Sequence, residues 1–247
     1  LVMNGRSQNG IVGCAAIDDY LNNVVKKHEK TREEKEIDRI NHVDICNAQT
    51  GPIFLAYRSQ KMINQIVSKT KKNDPLYDFT APDGVRHIVW NVDTESDIDA
   101  IFSEFKNIES VYIADGHHRA ASAVKVGLKR RNENPQYSGQ EEFNFFLSVL
   151  FPHDQLQILD YNRVVKDLNG YTAEEFIKEV SNVFMVEKIG SDAYRPERKG
   201  MFGMYLKGVW YKLTAKDEIC SEDPVEGLDV SLLQNHLLRP LFNIKDP

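Results

Sequence analysis

The stretch SVYIADGHHRAASAVKVG, residues 110–127, decides the reading of this chain. Ser110 to Ala114 is rich in Val, Tyr and Ile, the composition of a short buried strand. From Ala120 onward, Ala120, Ala121, Ala123, Val124 and Leu128 fall near helical spacing. Asp115, Gly116, His117, His118 and Arg119 therefore occupy a strand-to-helix turn. A helix N-terminus presents free amide hydrogens and a partial positive charge, which suits an anion. Gly116 has no Cβ and lets backbone approach a phosphate closely. Arg119 is a planar, permanently charged, bidentate phosphate donor, and His117 or His118 adds a ring N–H. Asp115 is repulsive to a phosphate unless a divalent cation lies between them or the carboxylate orients a His. The same residues also fit a purely structural account: Asp115 as a helix cap, Arg119 in a surface ion pair, the histidines in a solvated turn.

Outward from this turn the chain reads as a mixture of hairpins and strand–helix–strand units, which predicts an α+β fold with a mixed sheet. Asn4–Asn9 is a hairpin and 18–23 a turn, followed by the short strand NVVKKHE. Thr31 and Glu34 form a capping box at the head of a helix from about Arg32 towards Asn47. GPIFLAY is a buried strand, Gln60–Lys71 an amphipathic helix, YDFTAPDGVRHIVWNV a hairpin turning at APDG, and Asp97–Lys106 a helix. After the helix at 119–131, RNENPQYSGQ is polar and contains Pro135 and Gly139, which places a boundary there. Residues 1–132 are expected to form the portion that carries the phosphate turn, and 140–247 an α+β accessory portion packed on it. In the latter, FNFFLSVLFP and LQILDYNRVV read as paired strands, Ala173–Asn182 as a helix, 183–215 as several strands and 230–242 as a final helix.

The bulk numbers bound the function. The 247 residues are 41% apolar and 28% charged, ordinary for a globular protein. A net charge of −6 gives no broad basic surface for nucleic acid or an anionic membrane, so neither is expected as a partner. Three cysteines, Cys14, Cys46 and Cys220, are scattered and lack metal-ligand spacing. That usage predicts a reducing, cytoplasmic setting. No signal peptide or membrane-length apolar run is present. Both ends read as cuts through a longer protein, so the chain is expected to be an internal fragment. A homodimer is compatible with everything above.

A second constellation is KKHEKTREEKEIDRINH, residues 26–42. Much of it reads as a charged surface helix. Lys27, His28 and Glu29, however, precede the helix at the end of a strand, in the kind of loop that holds catalytic groups. A Glu there can act as a general base, with Lys27 neutralising phosphate charge. No nucleophile elbow, P-loop or dinucleotide fingerprint is present, and the adjacent His117 and His118 alone have no ligand spacing.

YIADGHHRAASA, KKHEKTREEKEIDRINH, GPIFLAY and LDYNRVVKDLNG together resemble the bacterial and archaeal family described as domain of unknown function 1015, across essentially the whole chain. That family is similar to the ParB/sulfiredoxin-like superfamily, in which a Gly-x-His-Arg or related turn at a helix start grips nucleotide phosphates. Gly116, His118 and Arg119 occupy that pattern here. The resemblance implies a strand–turn–helix phosphate site formed by Asp115, Gly116, His117, His118 and Arg119. Sulfiredoxin carries a catalytic Cys where this chain has His117, so its chemistry is not implied. ParB proteins bind CTP and DNA with an Arg-rich turn, and the acidic balance here argues against a DNA-associated role. The free-serine kinases also carry Asp-Gly-His-His-Arg, with an upstream His-Glu pair whose Glu activates the serine hydroxyl. His28 and Glu29 match that pair in type and order, although the intervening segment is longer here. The resemblance thus implies a nucleotide-dependent phosphotransferase acting on a small hydroxylated metabolite. Glu29, Lys27 and His28 would be its catalytic group, with ADP or ATP as nucleotide and Mg²⁺ held through Asp115 or Glu29. The competing expectations are a non-catalytic nucleotide-binding regulator and a ParB-like DNA-associated factor.

Overall fold

A computed structural model describes residues 1–29, 31 and 33–245, with the side chains of Glu33 and Lys35 left aside. It divides into two compact units, Leu1–Leu159 and Asp160–Pro247. The fold is α+β with mixed pairing, as the alternation of hairpins and helices predicts.

The first unit opens with β1 (Val2–Met3) and β2 (Arg6–Ser7), a two-residue hairpin whose central Asn4 and Gly5 both have positive φ, 51° and 77°. Asn and Gly accept that backbone readily, and the turn matches strand twist. β3 (Ile11–Ala16) runs straight into a short helix, α1 (Ile17–Leu21), where the sequence reading has only a turn. β4 (Val25–Lys26), α2 (Glu33–Cys46), β5 (Ile53–Tyr57) and α3 (Lys61–Thr70) follow. The expected start of α2 at Arg32 lies outside the described residues; the Thr31 side chain bonds the Glu36 carboxylate. β6 (Tyr77–Thr80) and β7 (Arg86–Val89) make the predicted hairpin, and β7 extends through β1 into a four-stranded sheet ordered β2-β1-β7-β6. Helix α4 (Glu95–Lys106) leads to β8 (Val111–Asp115), α5 (His117–Glu133) and β9 (Phe145–Pro152).

The central sheet of this unit has the order β3-β9-β5-β8-β4. β9 lies antiparallel to β3 and parallel to β5. This corrects two expectations. The chain does not divide at 132–140, because β9 is interior to the first sheet and carries the boundary to Leu159. Nor does β9 pair with the segment 156–165, which forms no strand; Ile158 and Val164 there are 96% and 98% exposed. Asp160 and Arg163 accordingly lie on a stretch outside any strand.

The core of the unit joins Ile17, Ile53, Leu55, Ile63, Ile113 and Phe146 with the Ala-rich face of α5. Ala120, Ala121, Ser122 and Ala123 are buried, and these small side chains let α5 lie close to the sheet and to α2. Gly127 marks the tightest approach: a Cβ there would meet the carbonyl oxygen of Phe143 at 2.4 Å. A cavity of about 1110 Å³ in this unit is lined by apolar residues such as Ile11, Phe54, Ile88 and Phe102 and includes none of the residues of the Asp115–Arg119 turn.

The second unit has an antiparallel sheet ordered β10-β12-β11, from β10 (Phe184–Gly190), β11 (Met201–Leu206) and β12 (Val209–Ala215). Helix α6 (Ala173–Val183) begins with a complete capping box between Thr172 and Glu175. The expected final helix is broken into α7 (Asp229–Leu233), a π-helical turn Gln234–Leu238 and α8 (Arg239–Phe242). Phe176, Val180, Phe184, Leu213 and Leu237 form its core. No helix among the described residues is long and apolar enough to cross a membrane.

Candidate functional site

Strand register explains why residues distant in sequence meet. β4 runs parallel to β8, with Val25 opposite Val111 and Lys26 opposite Tyr112. Parallel neighbours end at the same sheet edge, so the loop leaving β4 emerges beside the loop leaving β8. Three residues beyond Lys26 is Glu29, and three beyond Tyr112 is Asp115. β5 runs antiparallel to β8, with Phe54 opposite Asp115, so the loop entering β5 arrives at that edge too. It brings Gly51.

At this edge β8 passes into α5 through Gly116, whose φ of 97° and ψ of 30° are left-handed. Gly is the residue that adopts this without strain, and the turn delivers His117 as the first residue of the helix. The Arg119 guanidinium folds back over the turn: a Cβ on Gly116 would lie 2.9 Å from its Nη2, and one on Gly51 would lie 3.2 Å from its Nη1. Arg119 also donates to Asp115 Oδ2 at 2.6 Å. The surface-ion-pair expectation for Arg119 therefore matches its contact with Asp115, and the N-cap of α5 is Gly116 rather than Asp115. Gly51 is not singled out from sequence; the Gly-Pro pair that opens GPIFLAY is its signal.

His117 is the pivot. Its side chain is 3% exposed, and Nδ1 lies 3.3 Å from Glu29 Oε2. The His28 backbone N–H donates to Nε2 at 3.5 Å. An amide can only donate, so Nε2 is the acceptor and the proton resides on Nδ1, directed at Glu29. Burial holds the His117 pKa below the usual imidazole value, against the opposing pull of Glu29. The His28 and His117 rings meet edge to face with centroids 4.4 Å apart. Glu29 remains 57% exposed. Within the turn, Ser122 Oγ donates to the His118 carbonyl at 2.7 Å and ties the first turn of α5 to itself.

Among the residues singled out from sequence, His28, Glu29 and His117 thus come into contact, and Asp115, Gly116 and Arg119 form a second contact group on the same turn. Lys27 stands apart. Its Nζ donates to the Tyr20 carbonyl at 3.0 Å and sits 4.0 Å above the Tyr20 ring, so its charge is directed to α1. His118 lies close enough for its charge to favour ionised Glu36. The buried Glu36 carboxylate pairs with Lys125 and bonds Thr31, which hold its pKa below the usual carboxylate value and fasten α2 to α5 behind the turn.

Residues 1–231 match the family model described as protein of unknown function (DUF1015). The chain belongs to this family. No curated protein and no solved structure matches it.

Proposed function

We propose that this chain is a nucleotide-dependent phosphotransferase acting on a small hydroxylated metabolite, in the manner of the free-serine kinases it resembles. The observation that carries the reading is the placement of an exposed carboxylate, Glu29, against His117 at the first residue of a helix whose cap is a left-handed glycine. The turn suits phosphate: Gly116 puts no Cβ over the start of α5, and the Arg119 guanidinium packs against the same turn. ADP or ATP would supply the phosphoryl group, with Mg²⁺ offsetting its charge near Asp115 or Glu29.

In this reading Arg119 exchanges its bond to Asp115 for a phosphate oxygen. Glu29 orients the acceptor hydroxyl and takes its proton, and the Nδ1–H of His117 fixes the carboxylate for that task. His28 holds His117 through its amide. Lys27, turned to Tyr20, has no part unless the loop rearranges. Phosphoryl transfer demands mainly positioning and charge stabilisation, which such a set can provide. Conversion of ADP or ATP in the presence of Mg²⁺, measured across a panel of small hydroxy metabolites with free serine as its first member, tests the assignment. Tight nucleotide binding without turnover of any member would favour the regulator instead, a reading to which the Asp115–Arg119 pair, as a ligand-displaced latch, lends some support.

A further inference from the structure

One donor atom from each of His28, Glu29 and His117 lies within 4.8 Å of the other two. Glu29 Oε2 lies 3.3 Å from His117 Nδ1. Two ligands each about 2.0–2.1 Å from one ion at a near-tetrahedral angle stand roughly 3.3–3.4 Å apart. The buried His117 is fixed by packing, while His28 and Glu29 are exposed on the loop after β4 and free to adjust. Two imidazoles and one carboxylate are not the donor set of Mg²⁺, which takes oxygen ligands; imidazole nitrogen suits borderline transition cations.

We propose that His28, Glu29 and His117 form a binding site for a divalent transition cation of the zinc or cobalt class. Three protein ligands leave at least one coordination position for water or another ligand, the pattern of catalytic rather than closed structural sites. The positive end of α5 opposes a bare cation there; the Glu29 and Asp115 carboxylates offset it, and an anion on the α5 amides would complete the charge balance. The ion replaces the Nδ1 proton of His117, and that proton is carried on Nε2 in the bound form. The 3.5 Å contact from the His28 amide then opens. The inward turn of the His28 loop that delivers its imidazole provides that opening. Ligation makes Glu29 a metal ligand in place of a proton acceptor, so this site stands independently of the phosphotransfer reading and competes with it for one carboxylate.

The test is titration of the chelator-treated chain with Co²⁺ and Zn²⁺, without nucleotide, by calorimetry and Co²⁺ visible absorption. Because Cys14, Cys46 and Cys220 are exposed thiols, it is run with all three changed to Ser. The expected result is one ion per chain, absorption typical of four- or five-coordinate Co²⁺ without thiolate bands, and no comparable uptake of Mg²⁺. Affinity should fall roughly tenfold or more in both His28→Ala and Glu29→Gln. Both positions are exposed, so the variants should keep the parent melting temperature. In ¹⁵N spectra the His117 proton should move from Nδ1 to Nε2 as Zn²⁺ saturates. Absence of saturable uptake, or uptake indifferent to both substitutions, overturns the site. A phosphotransfer assay supported by Mg²⁺ alone fails or succeeds separately from either result.

Discussion

Glu29 Oε2 lies 3.3 Å from Nδ1 of His117, a contact made by two loops that leave parallel strands at one sheet edge. His117 is a positioning residue in this arrangement, since its buried ring faces Glu29 and the His28 amide. His117→Asn keeps an N–H near the position of Nδ1, and His117→Phe removes it. The expected outcome is a loss of turnover of roughly 10–100-fold for Phe, the usual effect of removing a group that orients a reactive one. Partial recovery is expected for Asn, with the KM for nucleotide little changed in either. Steady-state kinetics on the two folded variants provides the check.

In the proposed phosphotransfer reading Arg119 binds phosphate directly. Arg119→Ala should weaken nucleotide binding by roughly 1.5–3 kcal/mol, the usual worth of a charged hydrogen bond. Isothermal titration calorimetry of the folded variant measures it, and unchanged affinity would make the Asp115–Arg119 pair purely structural.

Two glycines are expected to resist substitution for different reasons. Gly116→Ala forces an L-residue to a φ of 97° and sets its Cβ 2.9 Å from the Arg119 guanidinium. A stability loss of about 1–2 kcal/mol follows from the backbone alone, and displacement of Arg119 should weaken anion binding as well. Gly127→Ala meets a backbone carbonyl at 2.4 Å, which cannot swing aside. It should cost about 1–3 kcal/mol through overpacking without a specific effect on nucleotide affinity at saturating folded protein. Urea denaturation and binding measured on both variants separate the two effects.

The Glu36–Lys125 pair gives the pH dependence its sign. The folded-state pKa of Glu36 is lowered, first by Lys125 and then by Thr31. Its contribution to stability is therefore complete above the unfolded carboxylate pKa and is lost as pH falls through the folded one. Glu36→Gln should flatten that part of the acid limb. At neutral pH it should cost about 1–2 kcal/mol, towards the lower part of the range for charged hydrogen bonds because Lys125 is half exposed. Urea midpoints at neutral pH and through the acid limb test this.

The sequence shows some of this architecture plainly and hides the rest for physical reasons. The change from Val, Tyr and Ile to Ala across 110–124 is a local signal, and it places β8, Gly116 and α5 within a residue or two of where they lie. Asn4-Gly5 and Pro82–Gly84 are equally local, and both hairpins form. The insertion of β9 between β3 and β5 is a non-local pairing with no trace in residues 133–144, which is why the polar stretch there looked like a boundary. The segment LQILDYNRVV has the Ile, Leu, Tyr and Val content of a strand, yet it pairs with no strand among the described residues, and Ile158, Tyr161 and Val164 stay exposed. At the turn, residue types were legible but partners were not. Nothing in KKHE shows that Lys27 turns to Tyr20 while Glu29 turns to His117, because that depends on the pairing of β4 with β8.

The central claim, that Glu29 and the α5 turn form one phosphotransfer site, is tested most directly by comparing turnover of wild type and Glu29→Gln. The assay uses saturating nucleotide, Mg²⁺ and the hydroxy-metabolite panel. Gln keeps the size of Glu and removes its charge. The account predicts measurable transfer by wild type, a fall of roughly 10²–10⁴-fold in Glu29→Gln, the usual range for a positioned acid or base, and nucleotide affinity unchanged within a few-fold. Wild-type protein that binds nucleotide yet transfers phosphate to no member of the panel, or a Glu29→Gln variant with undiminished turnover, would contradict it.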